Sequence, residues 1–151
     1  MVKFSCLINV ALFLAGSTSA FTHPGLLHTE EDFSRAAEKV KNQEAPWYTD
    51  FQKIENGRLA QADYQPRPSE YVTRGGTGEN YRAFYNDVAA AYQLAVRWKM
   101  TGNSSFADAS INVLNAWGKT LKVLNGTADR FLAAGIYGCE IANAAEIMSD
   151  I

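Results

Sequence analysis

Residues 80–103 read Asn-Tyr-Arg-Ala-Phe-Tyr-Asn-Asp-Val-Ala-Ala-Ala-Tyr-Gln-Leu-Ala-Val-Arg-Trp-Lys-Met-Thr-Gly-Asn. Tyr81, Phe84, Tyr85, Val88, Tyr92, Ala95 and Val96 recur at the three- and four-residue spacing of one helix face. Gly102 supplies the residue that most easily turns left-handed and ends such a helix. Ser105 with Asp108 then reads as the cap of another helix, whose apolar positions are Phe106, Val113, Leu114 and Trp117. Two helices joined by so short a turn form an αα-hairpin.

Upstream, Thr29 with Asp32 forms a capping box with Asp in place of the usual Glu. The helix it opens carries Phe33, Ala36, Ala37 and Val40 on one face. Pro46 starts a further helix at its favoured first turn, with Trp47, Phe51 and Ile54 as the stripe. Residues 61–79 hold Pro66, Pro68, Gly75, Gly76 and Gly78 around Tyr64 and Tyr71, the pattern of a long, packed, functional loop. Residues 118–128 read as a second loop. A final Ala-rich helix begins near Asp129 and is still in phase at Ile151, so a longer parent protein is expected. No segment alternates with a period of two long enough to predict a sheet, and the fold class is all-α.

The N-terminus has the three parts of a cleavable leader. Lys3 gives the positive end, residues 7–15 the apolar run, and Thr18 and Ala20 the small residues before a cut at Phe21. Domain organisation is therefore a signal peptide over residues 1–20 and one domain over 21–151, about 130 residues long. Export leaves Cys139 as the single mature cysteine, so no internal disulfide is possible. Cys139 is expected to be buried and inert. Export also gives meaning to two sequons, Asn103-Ser104-Ser105 and Asn125-Gly126-Thr127, both expected in interhelical turns and both glycosylation candidates. Fourteen basic against sixteen acidic residues, with no basic block, argue against nucleic acid as partner. No later segment spans a membrane, so none is expected as partner once the leader is gone. His23 and His28 lie five apart without a third ligand in suitable spacing, and no metal site is expected.

Three stretches together resemble a known family. Phe21-Thr-His-Pro-Gly-Leu-Leu-His28 followed by a charged helix and Pro46-Trp47 is similar to the opening of secreted polysaccharide lyases with an alginate-lyase-type domain. The 80–103 run is similar to that family's first strong helical hairpin. Ala128-Asp-Arg-Phe-Leu-Ala-Ala-Gly-Ile-Tyr-Gly138, with Asn143-Ala-Ala-Glu146, resembles its next helix. Fungal members look closest. The resemblance implies part of an incomplete α/α toroid of helical hairpins around a groove, cleavage of an acidic, uronic-acid polysaccharide by β-elimination, and no cofactor. The family's domain is longer, and its His/Asn-bearing segment falls beyond Ile151, so the catalytic residues are expected there.

Such elimination removes the weakly acidic C5 proton beside a carboxylate, whose charge must first be neutralised. Arg, Asn, Tyr and His are the side chains that neutralise the carboxylate or move the proton. Arg74, beside Gly75-Gly76, is the first candidate for a substrate carboxylate, against a plain surface arginine. Asn80, Tyr81 and Tyr85 follow that loop, with an N-cap and core packing as the plainer readings. Arg130 is a second carboxylate candidate, with Asp129 capping the helix or orienting it, against a local ion pair. Tyr137 completes the substrate-binding set, against core packing. The alternative function is a non-catalytic, secreted helical carbohydrate-binding or interaction protein.

Overall fold

The computed structural model describes residues 22–149, and the leader expected over residues 1–20 lies outside the described residues. In chain order the elements are α1 (Glu30–Lys41), α2 (Trp47–Glu55), β1 (Tyr71–Arg74), α3 (Arg82–Thr101), α4 (Ser104–Thr120), β2 (Val123–Gly126) and α5 (Asp129–Ile147). The chain is thus predominantly helical, as its periodicity predicts.

The α3–α4 hairpin is the centre of the fold. Gly102 takes φ +69° and its N–H donates to Trp98 O, closing α3. The next helix is capped two residues earlier than Ser105 and Asp108 suggest. Asn103 is the N-cap, and its side-chain oxygen accepts from Ser105 N at 3.0 Å. Small side chains let the two helices close up, and Ser110 Oγ donates to Ala91 O at 2.8 Å across the seam. The main core runs along this hairpin through Phe84, Val88, Leu94, Val113 and Trp117 and takes in Ala133, Tyr137 and Ala144 of α5.

Asp87 lies in that core with no solvent exposure. Its carboxyl accepts from Tyr64 Oη at 2.6 Å, Arg67 N at 2.6 Å and Trp117 Nε1 at 2.7 Å. One side chain of α3 therefore ties the irregular 61–70 segment to α4. Burial, with the Asp87 carboxyl beside it, pushes the Tyr64 hydroxyl well above the usual phenol range.

The expectation of no sheet needs correction. The strands β1 and β2 pair in parallel, with Tyr71 opposite Val123, Val72 opposite Leu124, Thr73 opposite Asn125 and Arg74 opposite Gly126. Each strand has only four residues, and their shared crossover is the whole hairpin. No alternation that short is visible in sequence. The second expected loop is replaced by the end of α4 and by β2, so Asn125 lies in a strand, whereas Asn103 does lie in the α3–α4 turn. Gly126 sits at φ +119°, and a Cβ there would lie 1.9 Å from Arg74 O. Gly126→Ala is expected to cost about 2 kcal/mol or more by forcing the strands apart. A thermal melt checks this, and an unchanged midpoint would show that the pairing contributes nothing.

The segments at the two ends of the described residues are tied to the hairpin and to each other. Thr29 and Asp32 make the expected capping box, and the Thr29 bonds, with Arg35, draw the Asp32 carboxyl down to about 2. Pro46 is the N-cap of α2 rather than its first residue. Phe33 of α1 packs with Ala95, Ala107, Ile147 and Met148 in a second cluster. Before α1, Gly25 N donates to Glu146 Oε1 at 2.9 Å and Leu27 N to Asn143 Oδ1 at 3.1 Å. α5 ends at Ile147, with Met148 N–H bonded back to Ala144 and Ala145 carbonyls, so the expected helical phase does not carry into Met148 and Ser149. Phe131, Leu132 and Ile136 remain exposed on its outer side. Cys139 is also exposed, contrary to its expected burial, because it shares that outer side. Among the described residues no helix is long and apolar enough to cross a membrane.

Candidate functional site

A cleft of about 230 Å³ opens where β1 meets α3 and α5, lined by Arg74, Tyr81, Arg82, Tyr85 and Tyr137. Four of these five residues are candidates from the sequence, and they come from three separate elements. Parallel pairing delivers Arg74 to the last position of β1, opposite Gly126. The helix spacing of four places Tyr81 and Tyr85 one turn apart at the start of α3. Tyr137 reaches the cleft from the third turn of α5.

The floor of the cleft is built on the core. Trp117 tilts against Phe84 with centroids 4.7 Å apart, and Phe84 meets the Tyr137 ring edge-on at 5.6 Å. Tyr137 is 3% exposed: its ring packs in the core as the plainer reading has it, and the residue also lines the cleft. Tyr81 stacks nearly parallel to Tyr137 at 6.5 Å, and Tyr85 tilts on it at 5.7 Å. The Arg74 guanidinium lies 5.0 Å from the Tyr81 ring centroid and 5.6 Å from that of Tyr137. Arg74 Nη1 also donates to Tyr137 Oη at 2.9 Å.

Two features give the cleft its chemistry. Among the described residues neither Arg74 nor Arg82 has an acidic partner in the structure. The cleft therefore carries two guanidinium groups with no internal counter-charge, and attracts an anion. Burial pushes the Tyr137 hydroxyl above its ordinary range, although Arg74 pulls the other way. Tyr137 thus keeps its proton at neutral pH. Accepting from Arg74 leaves its own O–H to donate to a ligand.

Two sequence candidates do not line the cleft. Asn80 turns its amide to β1, accepting from Thr73 N at 2.7 Å and donating to Tyr71 O at 2.9 Å. The free edge of β1 captures it, so it does not cap α3 and does not line this cleft. The N-cap is Tyr81, which makes no side-chain cap bond. Arg130 donates to Gly126 O at 3.0 Å and lies over the Phe131 ring. This bond to the last carbonyl of β2 holds it away from the cleft. Asp129 neither caps α5, whose N-cap is Ala128, nor pairs with Arg130. Arg82 is the cleft residue that sequence reasoning missed. The available signal was its position three residues before Tyr85, on the same helix face as a candidate.

A larger cleft of about 430 Å³ between α1, α2 and α3 is walled by Val40, Trp47, Phe51, Ile54 and Met100. Its one charged residue, Asp50, is paired to Lys53 at 2.6 Å, so it brings no chemistry. Among the described residues no group of three or more His, Cys, Asp or Glu is placed to hold a metal ion. Comparison of the chain with protein-family models, with curated proteins and with solved structures finds no match.

Proposed function

We propose that the Arg74 cleft binds a uronate residue of an acidic polysaccharide, as the substrate-binding part of an exported lyase that cleaves by β-elimination. The observation that carries this reading is the convergence of two uncompensated guanidinium groups and three tyrosine rings on one small cleft. A uronate sugar needs both kinds of group. Its carboxylate pairs with a planar guanidinium, and its ring lies on an aromatic face. A cleft smaller than the ~300–1,000 Å³ of enclosed drug-sized sites suits one ring of a polymer that passes across the surface.

In the elimination, Arg74 and Arg82 would neutralise the carboxylate beside the C5 proton, which makes that proton easier to remove. A protonated Tyr137 suits donation to an oxygen of the sugar, the departing O4 included. The helical hairpins would be part of an incomplete α/α toroid, and Asn103 and Asn125, both exposed, would carry glycans on an exported chain.

The test is a titration of the full chain with oligomannuronate, oligoguluronate and oligoglucuronate, beside an absorbance assay for the new C4–C5 double bond. Saturable uronate binding with growing absorbance supports a lyase. Binding without absorbance supports the non-catalytic carbohydrate-binding alternative. Absence of binding to every uronate oligomer overturns the reading.

A further inference from the structure

A third, separate pocket of about 260 Å³ lies between α3, α5 and the segment before α1. It is lined by Leu27, Tyr92, Ile136, Cys139, Glu140 and Asn143. Tyr92 lies seven residues after Tyr85 on α3, about 10 Å further along the helix.

Most of its polar groups are already committed. The Asn143 amide accepts from Leu27 N at 3.1 Å and donates to Cys139 O at 2.8 Å. Tyr92 Oη is hydrogen-bonded to His28 Nε2. Glu140 differs. It has no hydrogen bond and no ion pair among the described residues, and burial holds its carboxyl above the ordinary range with no cation opposing the shift. A half-buried carboxyl beside Leu27, Ile136 and an aromatic ring has lost part of its hydration and has room for a cationic partner. A single carboxylate is too few ligands for a metal ion.

We propose that this pocket binds a small organic ammonium ion. The ammonium group pairs with Glu140 and meets the electron-rich Tyr92 ring, and the apolar body rests on Leu27 and Ile136. The charge preference is opposite to that of the Arg74 cleft, and the inference does not depend on that cleft's ligand.

The probes are n-butylammonium and benzylammonium, titrated calorimetrically into the full chain, with n-butanol and benzyl alcohol as neutral counterparts. The ammonium ions are expected to bind saturably, and the alcohols about tenfold or more weaker. Glu140→Gln is expected to lose about tenfold or more in ammonium affinity. Its melting midpoint should be equal or higher, since an uncharged isostere relieves a half-buried carboxyl. Arg74→Ala should leave ammonium binding unchanged. Equal binding of ammonium and alcohol, an unaffected Glu140→Gln variant, or no saturable binding of either ammonium would overturn the assignment.

Discussion

Asp87→Ala is expected to destabilise the protein by about 4–5 kcal/mol, the cost of stranding several donors once bonded to a charged acceptor. The variant leaves Tyr64 Oη, Arg67 N and Trp117 Nε1 without their shared acceptor in a place that has no solvent exposure. Bonds to a charged acceptor contribute about 1.5–3 kcal/mol each, and the three are not additive because water can reach part of the vacated space. Against a total stability of about 5–15 kcal/mol, the loss would leave much of the population unfolded. Asp87→Asn should cost only about 1–2 kcal/mol. Its oxygen can still serve Arg67 and Trp117, and the Tyr64 hydroxyl can turn to accept from the new amide. Urea denaturation followed by tryptophan fluorescence, to which Trp117 contributes, and near-ultraviolet dichroism measures both variants. An Asp87→Ala protein within about 1 kcal/mol of the parent would show that the network does not anchor the fold. The same network fixes the backbone at Arg67, seven residues before Arg74, so variants that stay folded should also bind uronate less well.

Arg74→Ala is expected to weaken oligouronate binding about 100-fold, or about 2.7 kcal/mol. The loss combines a desolvated charge pair with the guanidinium plane that Tyr81 and Tyr137 hold in place. Arg74→Lys should recover only part of this, because an ammonium keeps the charge but loses the planar fork and the stacking. Binding by the parent should fall as salt rises, and the Ala variant should show a shallower salt dependence. Both substitutions lie outside the main core, so melting midpoints should stay close to that of the parent. If Arg74→Ala binds as tightly as the parent, the cleft is not where the carboxylate sits.

These two residues differ in how far their sequence context exposes them. Asp87 stands among Phe84, Val88 and Ala91, at the spacing of the buried face of α3. An acidic residue inside an apolar stripe signals a buried polar network, but its partners lie twenty to thirty residues away and leave no local trace. Arg74 is conspicuous beside its glycines, yet nothing local says that it faces Tyr137, sixty-three residues on. Glu140 reads as an ordinary solvated charge on a helix until Leu27 and Tyr92 are seen to wall it in.

By itself the sequence determined the helices, their hairpin and several of their ends. A three-to-four-residue period, a glycine after Thr101 and the Thr29–Asp32 pair act within one or two turns, where neighbours in sequence are neighbours in space. Tertiary structure alone decided the β1–β2 pairing, the Asp87 network and which candidates share a cleft. Each rests on contacts between residues far apart in the chain. The same side chains were drawn elsewhere wherever a nearer partner offered itself, as the β1 edge did for Asn80 and the Gly126 carbonyl for Arg130.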